Sequence, residues 1–172
     1  MGQKLSREEW NSLAESLFDE HGESVYRFAF RLSGNRSQAE DVTSETILAA
    51  LQAISKVGVT GVTRPYLFGI ALNKWRRSRS APLAPISDLV ETEAIDIEGM
   101  MDLEIAFRRL PKVLKESFVL VKAEGFTSKE AAEILKVPQG TVQSRVHEAV
   151  SQMRGTLSSD QIAHASLKEV KL

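Results

Sequence analysis

Apolar residues recur along this chain at helical spacing, in short stripes separated by glycine, proline and capping residues. Ser6-Arg-Glu-Glu9 has the form of a capping box, in which hydroxyl and carboxylate each satisfy a backbone N–H that a first helical turn leaves unpaired. Trp10, Leu13 and Leu17 follow on one face, and after Gly22 a second stripe, Val25, Phe28, Ala29 and Leu32, runs to Ser33-Gly34-Asn35. Two helices with a shared core are predicted here. Ser37-Gln-Ala-Glu40 reads as another capping box, opening a long helix with Ala39, Val42, Thr46, Ile47, Ala50, Leu51 and Ile54 on its apolar face. Its other face carries Glu40, Asp41 and Glu45. From Lys56 to Thr63, two glycines and five β-branched residues disfavour helix and predict a flexible loop. Pro65 suits the first turn of a fourth helix, from Tyr66 to about Arg79. Leu67, Ile70 and Ala71 point inward there, and Lys74, Arg76, Arg77 and Arg79 crowd its C-terminal end.

From Ser80 to about Asp96, Pro82, Pro85 and acidic residues without helical periodicity have the composition of a linker. Beyond it, Met101, Ile105 and the Phe107 region share one helix, and Leu110-Pro111 opens another bearing Val113, Leu114, Phe118 and Val121, which Gly125 ends. Thr127-Ser-Lys-Glu130 is a third capping box, starting a short helix with Ala131, Ala132, Ile134 and Leu135. A turn at Lys136-Val137-Pro138 leads into the last long helix. Residues Thr127 to Val150 thus have the parts of a helix-turn-helix: Ala131 or Ala132 for close approach, and a small core of Ile134, Leu135, Val137 and Val142. Thr141, Gln143, Ser144, Arg145 and His147 face outward, and hydroxyls, an amide and an arginine are what phosphates and base edges require. The expected architecture is all-α: two small helical domains, 1–80 and 98–157, joined by a flexible acidic linker at 81–97, the second a four-helix domain with the helix-turn-helix. Residues 158–172 are expected as a tail rather than a short helix.

Composition narrows the chemistry. Of the 172 residues, 42% are hydrophobic and 26% charged, a globular profile. The absence of cysteine excludes disulfide frameworks, thiolate zinc sites and cysteine nucleophiles. Met1 to Trp10 lack the apolar run of a signal peptide or membrane span, so a cytoplasmic protein without membrane insertion is expected. His21, His147 and His164 have no carboxylates or thiols at ligand spacing, and Gly58-Val-Thr-Gly61 has neither the spacing nor the lysine of a phosphate-binding loop. No metal, no cofactor and no enzymatic activity are expected.

Net charge is −1, but it is unevenly divided. Residues 1–80 hold 11 basic and 9 acidic side chains, 81–107 none and 7, and 108–172 hold 11 and 7. Phosphate attraction is decided within about 8–10 Å, so the total does not forbid DNA binding by either flanking block. It does argue against strong nonspecific binding. The cluster Lys74, Arg76, Arg77 and Arg79 suits either a helix C-terminus or a DNA contact; Trp75 among them is either core or a platform for an unpaired base. Glu40, Asp41 and Glu45 read as a solvated face, and the first two also complement the helix dipole.

These segments resemble the extracytoplasmic-function (ECF) sigma factors of bacterial RNA polymerase. Tyr26-Arg-Phe-Ala with Gln38-Ala-Glu-Asp-Val-Thr-Ser-Glu-Thr46 is similar to the family's polymerase-binding helix, and Arg64-Pro-Tyr-Leu-Phe-Gly-Ile-Ala-Leu-Asn73 to its promoter-melting segment. Leu110-Pro, Glu124 to Leu135 and Val137 to His147 resemble its second domain. The resemblance implies a promoter-specificity subunit whose partners are core RNA polymerase, promoter DNA and an anti-sigma factor. Glu40, Asp41 and Glu45, chiefly the last two, would dock on a coiled coil of the largest polymerase subunit. The loop from Lys56 to Arg64, with Asn73, Lys74 and Arg76, would open the minus-ten element and hold a flipped base. The final helix, through Thr141, Gln143, Ser144, Arg145 and His147, would enter the major groove at the minus-thirty-five element. The alternative is a stand-alone helix-turn-helix regulator that binds duplex operator without polymerase; a third reading is a helical interaction protein that uses the acidic face.

The chain departs from the family pattern at several positions. Gln38 stands where an acid is common, a change expected to weaken polymerase docking. Lys136 stands where the turn often has glycine, at a cost of about 1 kcal/mol if φ is positive there. Gln143 replaces a frequent lysine and Glu148 sits where positive charge is common, so the final helix is less basic than usual.

Overall fold

The computed structural model describes residues 6–57, 62–78 and 97–169. It comprises seven α-helices, with no strand among the described residues, in two compact units. In the first unit, α1 (Arg7–Ser33), α2 (Arg36–Val57) and α3 (Arg64–Arg77) pack around one core. The capping box at Ser6 forms as expected, with Glu9 N donating to Ser6 Oγ at 3.2 Å and Ser6 N to Glu9 Oε2 at 2.7 Å. Those bonds hold the Glu9 carboxyl below its usual range.

Three expectations for this unit are corrected. The two helices predicted on either side of Gly22 are one continuous helix of 27 residues. Leu17 and Phe28 lie eleven residues apart, about three turns at 3.6 residues per turn, so the two stripes are in phase on a single helix. Gly22 is buried beneath the Phe18 ring, which a Cβ at residue 22 would approach to 3.2 Å. The cap of α2 is Asn35 rather than Ser37: Asn35 Oδ1 accepts Gln38 N at 2.9 Å, and its carbonyl accepts Ala39 N at 3.0 Å. Lys56, expected at the start of a loop, belongs to the last turn of α2.

Phe28 of α1 and Phe68 of α3 meet at the centre with ring centroids 5.0 Å apart and no exposure. Around them lie Val25, Ala39, Val42, Ala50, Leu67, Ala71 and Leu72, all buried. Thr43 and Thr46 are buried on the same face of α2, where each hydroxyl donates back to a carbonyl one turn earlier, at 2.7 and 2.6 Å. Gln38 is buried too, and its Nε2 donates to Ser78 Oγ at the end of α3. Ser78 Oγ in turn donates to the Trp75 carbonyl at 2.7 Å.

The second unit contains α4 (Ile97–Arg109), α5 (Lys112–Phe118), α6 (Ser128–Leu135) and α7 (Gln139–Glu169). Pro111 caps α5, which runs directly into a π-helical turn, Val119–Ala123. Glu124 N and Phe126 N return to the carbonyls of Val119 and Leu120 at 2.9 and 3.0 Å, and Gly125 takes φ 73 to allow the exit. The Thr127 capping box forms, with Glu130 N donating to Thr127 Oγ1 at 3.2 Å and Thr127 N to Glu130 Oε2 at 2.8 Å. α4, α5 and α7 enclose Ala106, Leu110, Leu114, Ala149 and Met153, flanked by Phe107, Phe118 and Leu157. Lys115 Nζ donates to the Arg108 carbonyl at 2.7 Å; burial, and then the Arg108 charge, lower its pKa. The expected tail from residue 158 is corrected in its first part, because α7 continues to Glu169. No proline interrupts residues 139–169, so nothing in the backbone ends the helix at 157.

Candidate polymerase and promoter surfaces

On α2, Glu40, Asp41 and Glu45 are exposed, one turn apart from Asp41 to Glu45. Beside them stands the C-terminal half of α3, where Glu45 Oε2 meets Lys74 Nζ at 2.9 Å. The packing of α2 on α3 therefore joins a residue expected to bind polymerase to one expected to bind DNA, a juxtaposition that sequence spacing does not reveal. Leu48, one turn beyond Glu45, is 55% exposed and adds an apolar group to the same face.

Along α3 the expected DNA-contacting residues Asn73 and Arg76 are exposed, at i and i+3, with Arg77 next to them. Arg64, in the first turn, is exposed, and its guanidinium lies 4.9 Å from the centroid of the Phe68 ring in a cation–π contact. Trp75 is 8% exposed and belongs to the core, so it offers no face to an unpaired base. The Lys56 side chain lies outside the described residues, as does most of the loop that follows it. Gln38, expected to matter for docking, is buried and bonded to Ser78, one turn before Asp41 on the same stripe of α2.

In the second unit the expected residues of α7 divide between two faces. Helical geometry of 3.6 residues per turn sets Thr141, Ser144, Arg145 and Glu148 together, and Gln143 with His147 on the other side of the buried ridge Val142, Val146 and Ala149. Thr141 and Arg145 are half-buried; Gln143, Ser144 and His147 are exposed. The Ser144 hydroxyl donates to the Thr141 carbonyl at 3.0 Å and remains an acceptor towards an outside donor. Glu148 accepts from Gln152 Nε2 at 3.0 Å, which holds its carboxylate along the helix. Gln143 and His147 line an open groove of about 520 Å³ with Lys122, Ser128, Ser151 and Arg154 above a floor of Val121, Val146 and Val150. Ser151 and Arg154 continue the Gln143 and His147 side of α7, and the fold brings Lys122 and Ser128 to them.

Among the described residues no group of acidic and histidine side chains is arranged to hold a metal ion, and no helix is long and apolar enough to cross a membrane.

The chain matches the sigma-70 region 2 family over residues 17–81 and the sigma-70 region 4 family over residues 101–153. It is 30% identical to the ECF RNA polymerase sigma factor SigL of Mycobacterium tuberculosis, over 85% of this chain and 89% of that protein. It is 30% identical to SigE of Mycolicibacterium smegmatis over 91% of this chain, spanning 65% of that relative's length. Two solved structures share the fold: CnrH, in complex with the cytosolic domain of CnrY, with TM-score 0.68 and 22% identity over 88% of this chain and 96% of that one; and RpoE of Bartonella quintana, with the anti-sigma factor NepR, with TM-score 0.67 and 22% identity over 85% and 97%. Both units are thus those of a sigma-70-type transcription initiation factor. Within that class the chain belongs to the ECF RNA polymerase sigma factors, alternative sigma factors that direct transcription initiation and are not enzymes.

Proposed function

We propose that this sigma factor acts in the cytoplasm by docking on core RNA polymerase through Glu40, Asp41 and Glu45 of α2. Arg64, Asn73, Lys74 and Arg76, with Lys56, contact and open the minus-ten element. Thr141, Gln143, Ser144, Arg145 and His147 of α7 meet the minus-thirty-five element. The observation that carries the reading is the 2.9 Å contact of Glu45 with Lys74, which puts an exposed acidic row and a basic helix end side by side on one folded unit. Such a surface suits a partner that holds DNA: the acids attract a basic protein surface, and the adjacent cations attract the phosphates that protein presents. An anti-sigma factor is proposed as a further partner, covering these charged surfaces; the Bartonella quintana relative was solved with one.

Run-off transcription from genomic fragments with core polymerase tests the proposal. The wild-type chain is expected to give promoter-dependent transcripts. The double variant Asp41→Lys, Glu45→Lys is expected to lose polymerase binding by about 100-fold or more, since like charges meet across the interface. Unchanged binding of that variant in a native gel with core polymerase would remove α2 from the docking surface.

A further inference from the structure

The turn between α6 and α7 begins at Lys136, whose φ of 57° is the one positive value outside glycine among the described residues. The turn requires it. The amide of Lys136 and that of Val137 both return to the Ala132 carbonyl, the second at 3.1 Å, a closure that a left-handed residue makes possible. Glycine adopts this conformation freely and asparagine with little penalty, but a lysine Cβ crowds its own carbonyl there. Among the described residues nothing offsets the strain. Lys136 is exposed, and its ammonium meets no acidic side chain among the described residues.

The position of Lys136 in the chain adjoins the helix read as promoter-facing. Three residues on, Gln139 opens α7, followed by Thr141, Ser144 and Arg145. Three peptide units span at most about 11 Å, and lysine carries its charge on a flexible four-carbon stem. That stem is long enough to carry the ammonium alongside the first turn of α7, where the phosphates flanking its bases would pass. That helix has Gln143 and Glu148, and its first turn offers no side-chain cation.

We propose that Lys136 is a DNA-backbone contact, its ammonium neutralising a phosphate that flanks the bases met by α7, and that this contact is what lysine supplies at a position where the turn favours glycine. The inference rests on the reading of α7 as the promoter-facing helix. A phosphate contact of this kind orients and strengthens binding without reading sequence.

The test uses the full chain in holoenzyme, bound to a fluorescent promoter duplex recovered by that holoenzyme from genomic fragments, with a salt titration. Lys136→Gly and Lys136→Asn are expected to raise the Tm of the free protein by a few degrees while weakening promoter binding about 3- to 10-fold. The loss should be equal on promoter point variants, and the slope of log affinity against log salt should shrink by about 0.9. Lys136→Arg keeps the charge and should retain the wild-type slope. Arg145→Ala separates the premises. If it weakens binding while Lys136→Gly leaves affinity and slope unchanged, the lysine serves only the end of α6 and the proposal is overturned. If neither variant alters binding, α7 does not face DNA and both readings fall together. A Lys136→Gly chain no more stable than wild type overturns the claim that the turn is strained.

Discussion

The two units build their working surfaces in opposite ways. In the second, a helix-turn-helix is written almost wholly in short-range chemistry: the Thr127 and Glu130 caps are three residues apart, and the Lys136 turn returns to Ala132. In the first, the surface is assembled between helices. Glu45 meets Lys74 at 2.9 Å, and Gln38 reaches Ser78 across 40 residues of chain. A surface carried by one helix depends on that helix forming and being supported; a surface shared by two depends on their packing as well. The first unit is accordingly more sensitive to core substitutions and the second to caps.

The largest test of that contrast is Phe28→Ala. Phe28 is fully buried against Phe68, and its removal is expected to cost about 3–5 kcal/mol, enough to unfold the first unit or nearly so. Both tryptophans, Trp10 and Trp75, lie in that unit. Tryptophan fluorescence in urea should therefore show an early transition while helical circular dichroism retains the second unit's share. A single transition shared by both probes would break the comparison.

A smaller effect sharpens it. Gln38→Glu installs the acid common in the family, yet removes the Nε2 donor to Ser78 Oγ, whose own proton already goes to the Trp75 carbonyl. Two acceptors then face each other, at an expected cost of about 1–2 kcal/mol. The same urea titration reads it, and a variant as stable as wild type would show that the bond is replaceable by water. Polymerase affinity is expected to change little, because Gln38 is buried and offers little surface to a partner.

The smallest expected change is in the second unit, where Thr127→Ala removes half a capping box, worth about 1 kcal/mol. Amide exchange at Ala131, whose N–H donates to the Thr127 carbonyl at 2.9 Å, should quicken, while tryptophan fluorescence stays as in the wild type. Equal destabilisation of the first unit would contradict the division of labour.

Much of this was legible residue by residue. Helical periodicity, the boxes at Ser6 and Thr127 and Pro65 near the start of α3 follow from interactions between residues a turn apart, which a linear chain displays directly, whereas the left-handed turn at Lys136 was raised only as a condition by the family resemblance. Of the α7 residues expected outward, Gln143, Ser144 and His147 are exposed, whereas Thr141 and Arg145 are half-buried, a difference that spacing along one helix does not display. What could not be read locally was how neighbouring signals compete. Gly22 looked like a break, but stripes in phase on either side of it run through a single helix with Phe18 covering the glycine. Asn35 and Ser37 both have capping chemistry, and the backbone uses Asn35. Gln38, Glu45 and Trp75 acquired their places only when α2 packed on α3, because burial and ion pairing between residues tens of positions apart depend on the three-dimensional path of the chain. Local hydrogen bonds decide where helices begin and end; only close packing decides which of their polar groups remain for a partner.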